Sequence, residues 1–133
     1  MFHFSGKRPA NLGARDGQLA APNSKPNNVS SQTGVNDTKH YIAPLQFSGD
    51  PATAFEKLVQ LVRAQSGASV ITRNGGYVHA EFSSPLMGFV DDVEFLLAPE
   101  LGVIHVRSGA RLGYADLGVN RKRVESLRAQ FGA

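Results

Sequence analysis

The 133-residue chain has no cysteine. It can therefore form no disulfide, offer no thiolate nucleophile, and ligate no zinc or iron–sulfur centre through sulfur. No apolar run approaches the roughly 20 residues a membrane helix needs. The opening residues, MFHFSGKRP, lack the apolar stretch of a signal peptide. Taken as a native start, that is a cytoplasmic chain; otherwise it is a mature region whose export signal or anchor lies outside it. Net charge is also small: 14 Lys and Arg against 11 Asp and Glu leave +3, and Arg121-Lys122-Arg123 is the single dense basic triplet. Neutralising a row of phosphates needs far more, so nucleic acid is not an expected partner. Neither a Walker pattern, nor GxGxxG, nor a GxSxG elbow is present. Ser108, with His105 three residues before it, is the nearest approach to a nucleophile. No catalytic residue, metal or cofactor is assigned.

What is present is one domain's worth of chain, 41% hydrophobic and 19% charged, enough for a core. Residues 1–40 are rich in Gly, Pro, Asn, Ser and Gln without any period. They are expected to form an extended, partly ordered arm anchored at single points: Leu12, Leu19, Val29 and then Tyr41, Ile42 and Leu45. Residues 41–133 are expected to form a single α+β domain. Asp50 caps a helix, Pro51 takes its first position, Gly67 ends it, and Phe55, Leu58, Val59 and Val62 form its apolar stripe. ASVITR, a turn at Asn74-Gly75, and GYVHAEF read as a hairpin. FVDDVEFLL, a loop Ala98–Leu101, and GVIHVRS read as a second. A last helix runs from about Val119 to Phe131. The expected fold is a four-stranded antiparallel sheet with two helices on one face and an extended N-terminal arm.

The charges of residues 86–125 stand out. Asp91, Asp92 and Glu94 interrupt an apolar strand, and Arg107, Arg111, Arg121 and Arg123 follow among glycines. Charges placed where burial is expected must be paired or used. Strand alternation puts His79, Glu81, Asp92, Glu94, His105 and Arg107 on one surface. A four-residue loop at Ala98–Leu101 sets Glu94 opposite His105 and Asp92 opposite Arg107. That surface reads as a solvated face of cross-strand ion pairs, as a binding surface, or as a metal site of His79, His105 and a carboxylate without tight ligand spacing. Asp91 falls on the opposite, apolar face and needs a partner, with the loop arginines as candidates; the other reading is a carboxylate tuned for proton transfer. Arg121 and Arg123 in a helix's first turn oppose its dipole, so Asp116, another carboxylate or a bound anion must offset them.

PNNVSSQ, FVDDVEF and IHVRSGARLGYADLGVNRKRVE together resemble, in order and over roughly residues 9–130, the bacterial and plastid family known as domain of unknown function 1499. The resemblance implies no activity. It marks Asp91, Asp92, Glu94, Arg107, Ser108, Arg111, Asp116, Asn120 and Arg121, which form the candidate ligand-binding set. It also marks Pro26, Asn27, Ser30, Ser31 and Gln32 in the arm. Many members carry CP and PNC where this chain has Ala21-Pro22 and Asn27-Asn28, so any stapling by those cysteines is absent here. Members often follow an export signal or membrane segment, which implies a periplasmic or membrane-associated setting. The expected function is a non-catalytic binding or accessory domain of the bacterial cell envelope, taking a protein partner or a small anionic ligand. It would meet a membrane only through a partner or an anchor. The alternatives are an enzyme on a small anionic substrate, with Asp92 or Glu94 as base and Arg107 and Arg111 as clamps, and an accessory subunit of a membrane complex. A pocket enclosing those charges favours the enzyme; complete ion pairing favours the accessory role.

Overall fold

The structure is a computed structural model that describes residues 6–84 and 88–132. The head of the arm, residues 1–5, and the start of the charged segment, Leu86 and Met87, lie outside the described residues. In chain order the elements are β1 (Asn28–Ser30), β2 (Leu45–Gln46), α1 (Pro51–Arg63), β3 (Ala68–Asn74), β4 (Tyr77–Ser83), β5 (Val90–Ala98), β6 (Val103–Ala110) and α2 (Val119–Phe131). The α+β class and the two helices stand, but the sheet has six strands, not four. Its order is β1-β6-β5-β4-β3, with β2 also on β6, and every strand pair is antiparallel. The two additional strands have three and two residues, too few for alternation to show in a sequence. They take the free edge of β6, and Gly109 lets β1 approach: a Cβ there would meet the Asn28 Cβ at 2.9 Å.

Local chemistry accounts for the elements. The Asp50 carboxylate accepts from the Thr53 N–H at 2.9 Å, and Pro51 enters α1 without a donor to waste. The helix stops at Arg63, ahead of the expected Gly67. Gly67 instead turns the chain into β3 at φ +77°, where a Cβ would lie 2.5 Å from the Ser83 carbonyl oxygen. Asn74 pairs with Tyr77, so the hairpin turn is Gly75-Gly76, one residue beyond the expected Asn74-Gly75. A bulge interrupts β3 between Val70 and Thr72. Between β5 and β6, Pro99–Leu101 form one 3-10 turn that Gly102 ends at φ +65°. Ala98 therefore stays in the strand, and Glu94 faces Arg107, Leu96 faces His105, and Asp92 faces Gly109. This is a shift of two from the expected register. An even shift keeps every side chain on its face, so the assignment of faces survives.

Both helices pack on one face. Phe55, Leu58, Val59 and Val62 of α1 and Val124, Leu127 and Phe131 of α2 cover Val78, Ala80, Val93, Phe95, Ile104 and Val106 of the sheet. Each large side chain so buried contributes about 1.5–3 kcal/mol. The arm closes the rim with Val29, Ile42 and Leu45; Leu19 is buried outside that cluster, and Leu12 and Tyr41 are only half-buried. α2 ties the chain after β1 through its arginines: Arg128 donates to the carbonyls of Ala43 and Pro44, and Arg121 to those of Tyr41 and Lys39. Asn23 and Asn28 close the loop ahead of β1 by exchanging amide hydrogen bonds at 3.1 and 2.9 Å. Among the described residues no helix is long and apolar enough to cross a membrane.

Candidate functional site

The polar face of the sheet carries the side chains that alternation placed there, but it is not solvated. Glu94 is 0% exposed, His79 2% and Asp92 6%. The arm lies across them as a strap: the Gly13 N–H donates to Glu94 Oε2 at 2.8 Å and to the Tyr77 hydroxyl oxygen at 3.0 Å. Arg8 Nε donates to Glu81 Oε2 at 2.7 Å. The reading of a solvated face is thus corrected, because residues with no period of their own supply its cover.

Beneath the strap the charges consume one another. Arg111 forks onto Asp92, with Nε to Oδ2 at 2.7 Å and Nη2 to Oδ1 at 2.9 Å, and Nη2 also reaches Glu81. Arg107 Nη1 donates to Glu94 Oε1 at 2.9 Å, the Tyr77 hydroxyl donates to Glu94 Oε2, and His79 Nε2 lies 2.8 Å from Asp92 Oδ1. Among the described residues, Arg107 Nε is the one buried side-chain polar atom without a partner. Burial alone would push the Asp92 carboxyl up, but Arg111 and His79 outweigh it and hold it below the usual carboxylate range. Glu81 is lowered in the same way, burial opposing Arg8 and Arg111. Burial and the bond to Glu94 raise the Tyr77 hydroxyl. His79, Glu81 and Asp92 bring ligand atoms within 4.8 Å of one another, a donor set that suits a divalent ion. Arg111, however, bonds both carboxylates and supplies the positive charge there. His105 does not join them; it faces Leu96, with Nδ1 3.0 Å from the Ser31 hydroxyl.

The remaining candidates lie on the other side of the sheet or beyond it. Asp91 meets Arg123 of α2 at 2.8 Å, one of the arginines that follow it among the glycines. Arg111, the loop arginine, passes to the strap side instead. Asn120, fully buried, accepts from the Ser108 hydroxyl and Arg123 Nη1, both at 2.6 Å, and donates to the Asn27 carbonyl and to Asp116. Asp116 accepts from the backbone N–H groups of Gly118 and Asn120, at 2.9 and 3.0 Å. It is the negative charge that the basic helix start requires. Burial would raise its carboxyl, and the Asn120 and backbone hydrogen bonds bring it below its ordinary value. Arg121 turns away to the Tyr41 carbonyl at 2.8 Å. The nine candidates are therefore not one site. Asp92, Glu94, Arg107 and Arg111 form one group, Asp91, Ser108, Asp116 and Asn120 another, and the sheet separates them. Arg8, Gly13 and Asn27 complete these groups, and only Asn27 carried a sequence signal, through the PNNVSSQ block.

These shifts fix the sign of the pH dependence. Asp92, Glu81 and Asp116 titrate lower in the folded state, so below about pH 4 the unfolded chain takes up protons first and stability is lost as pH falls. His105 is lowered by burial. The unfolded chain therefore gains that proton below about pH 6.5 while the folded chain does not, again costing stability as pH falls. Urea midpoints measured from pH 8 to pH 3 should fall slightly through about pH 6.5 and steeply below about 4. His105→Gln should abolish the first decline and keep the second; an unchanged first decline would remove His105 as its source.

A cleft opens where β4, β5 and β6 run out beside α2. It encloses about 570 Å³ between Phe82, Phe89, Leu112, Val119 and Leu127, with Asp91, Asp116 and Arg123 on its wall. Phe89, Leu112 and Val119 are exposed, as are Tyr114 and Leu117 on the adjoining loop. Of two other clefts, one of about 510 Å³ carries Asp50 and Lys57, and one of about 650 Å³ beside Tyr77 has no charged residue. None of the strap-side carboxylates or arginines lines any of the three.

In comparison with known proteins, residues 18–131 fit the family described as "Protein of unknown function (DUF1499)". No curated protein matches the chain. The matched stretch begins after Arg8 and Gly13 and contains every carboxylate that they fasten.

Proposed function

The chain belongs to the DUF1499 family, which brings a fold-wide pattern and no activity, and from that premise we propose a non-catalytic binding domain whose ligand site is the cleft beside α2. One observation carries the reading. The charges of Asp92 and Glu94 are spent inside the protein under the strap, whereas the cleft combines apolar walls with a few convergent polar groups and an exposed apolar rim. An enzyme using Asp92 or Glu94 as base and Arg107 and Arg111 as clamps would have to break four ion pairs and lift the strap before a substrate touched any of them. The family resemblance supports an envelope setting, periplasmic or held at a membrane through a partner, in which the domain serves as an accessory unit.

A neutral apolar dye, N-phenyl-1-naphthylamine, tests the site. It should bind with enhanced fluorescence, and Leu112→Glu at the rim should weaken it about tenfold or more, equivalent to about 1.4 kcal/mol. Because Leu112 is 41% exposed, the melting temperature should move by no more than about 2 °C. A dye that does not bind, or binds the variant equally well, would count against the cleft.

A further inference from the structure

We propose that the cleft takes an apolar ligand with a cationic head group, in its simplest form an alkylammonium, with Asp91 as the counter-ion. The proposal rests on the cleft being the binding site and adds the chemistry of the ligand. The ionisable groups of the lining are Asp91, Asp116 and Arg123, two negative and one positive. Arg123 has little to offer an anion: Nη1 is held by Asn120 and Ser108, Nη2 by Asp91, and its guanidinium lies 4.9 Å from the centre of the Phe82 ring. Asp116 is committed to the start of α2 through both its oxygens.

Asp91 is different. Its Oδ2 accepts from Arg123, while its Oδ1 takes no hydrogen bond from any described residue, although the residue lines the cleft. A donor or a positive charge entering the cleft finds an acceptor there. A carboxylate or sulfonate would instead meet two carboxylates and an arginine already engaged. Phe89 in the same lining adds aromatic surface, of a kind that attracts cations and quaternary ammonium above all. The volume of about 570 Å³ falls in the range of small-molecule sites.

Displacement of N-phenyl-1-naphthylamine from the full chain, at low salt and below the aggregation concentration of each amphiphile, separates the outcomes. Decyltrimethylammonium should displace the dye at least about tenfold more tightly than decanoate, with decyl maltoside between them, and the preference should shrink as salt rises. Asp91→Asn should remove the preference. Val119→Lys, at a position 46% exposed in the same lining, leaves Asp91 in place and should reverse it even where Asp91→Asn folds poorly. Equal affinity for all three amphiphiles, or a preference for decanoate, would overturn the cationic class and leave the cleft as an apolar site. Failure of all three to displace the dye, together with dye binding indifferent to Leu112→Glu, would overturn the cleft itself.

Discussion

Glu94→Ala is expected to lower the melting temperature by roughly 10–20 °C. Glu94 is fully buried and accepts from Tyr77, Gly13 and Arg107. Removing it leaves a guanidinium with only 13% of its side chain exposed, whose Nε already lacks a partner, facing no negative charge. It also leaves the Tyr77 hydroxyl without its acceptor and the strap without its central bond. Breaking a buried pair from one side costs about 3–5 kcal/mol. Glu94→Gln, which keeps the volume and one acceptor oxygen, should lose roughly half as much. Calorimetry on both variants decides the matter: a shift below about 3 °C for Glu94→Ala would mean that the layer under the strap is largely hydrated in solution.

Arg111→Met should cost a similar 3–5 kcal/mol and, in addition, turn the pH profile over. In the native chain Arg111 holds Asp92 and Glu81 down, so stability grows as pH rises out of the carboxylate range. Without it, two carboxylates that both bond one guanidinium are left beside each other and mostly buried, 5% and 16% exposed. Burial and mutual repulsion then raise them above their unfolded values. A raised carboxyl contributes stability below the unfolded value, and that contribution is lost as pH rises through the folded one. The variant should therefore be more stable at pH 5 than at pH 8, the opposite of the parent. Urea titrations at the two values would show it; parallel profiles would mean that His79 or Arg8 compensates for the missing charge.

How much of this is legible in the sequence follows from period and length. Helix α1 announces itself through Asp50, Pro51 and its stripe, and the faces of β4, β5 and β6 follow from alternation that a two-residue slip cannot disturb. The slip itself depended on whether Ala98 or Pro99 begins the turn, and period says nothing about that. Strands β1 and β2 are invisible because two or three residues hold no alternation. The strap is invisible because its bonds run through a glycine amide and one arginine, Gly13 and Arg8, in a stretch with no pattern. Asp91 was legible as a buried charge in need of a partner; that the partner would be Arg123 rather than Arg111 required knowing on which side of the sheet the loop passes. Asn120 stood out through resemblance alone, and its geometry explains why an amide sits there: it donates to two acceptors while accepting from two donors.

The placement of β1 and β2 has one more consequence. A sheet with two open edges is a template on both sides for strands of other molecules. Here the chain's own early segments lie along β6, so one edge is already taken. The edge that remains is β3, which is bulged between Val70 and Thr72 and carries Arg73 locked to Glu56. A kinked strand bearing a fixed charge is a poor surface for adding another strand, and edge-to-edge stacking of copies is disfavoured on both sides.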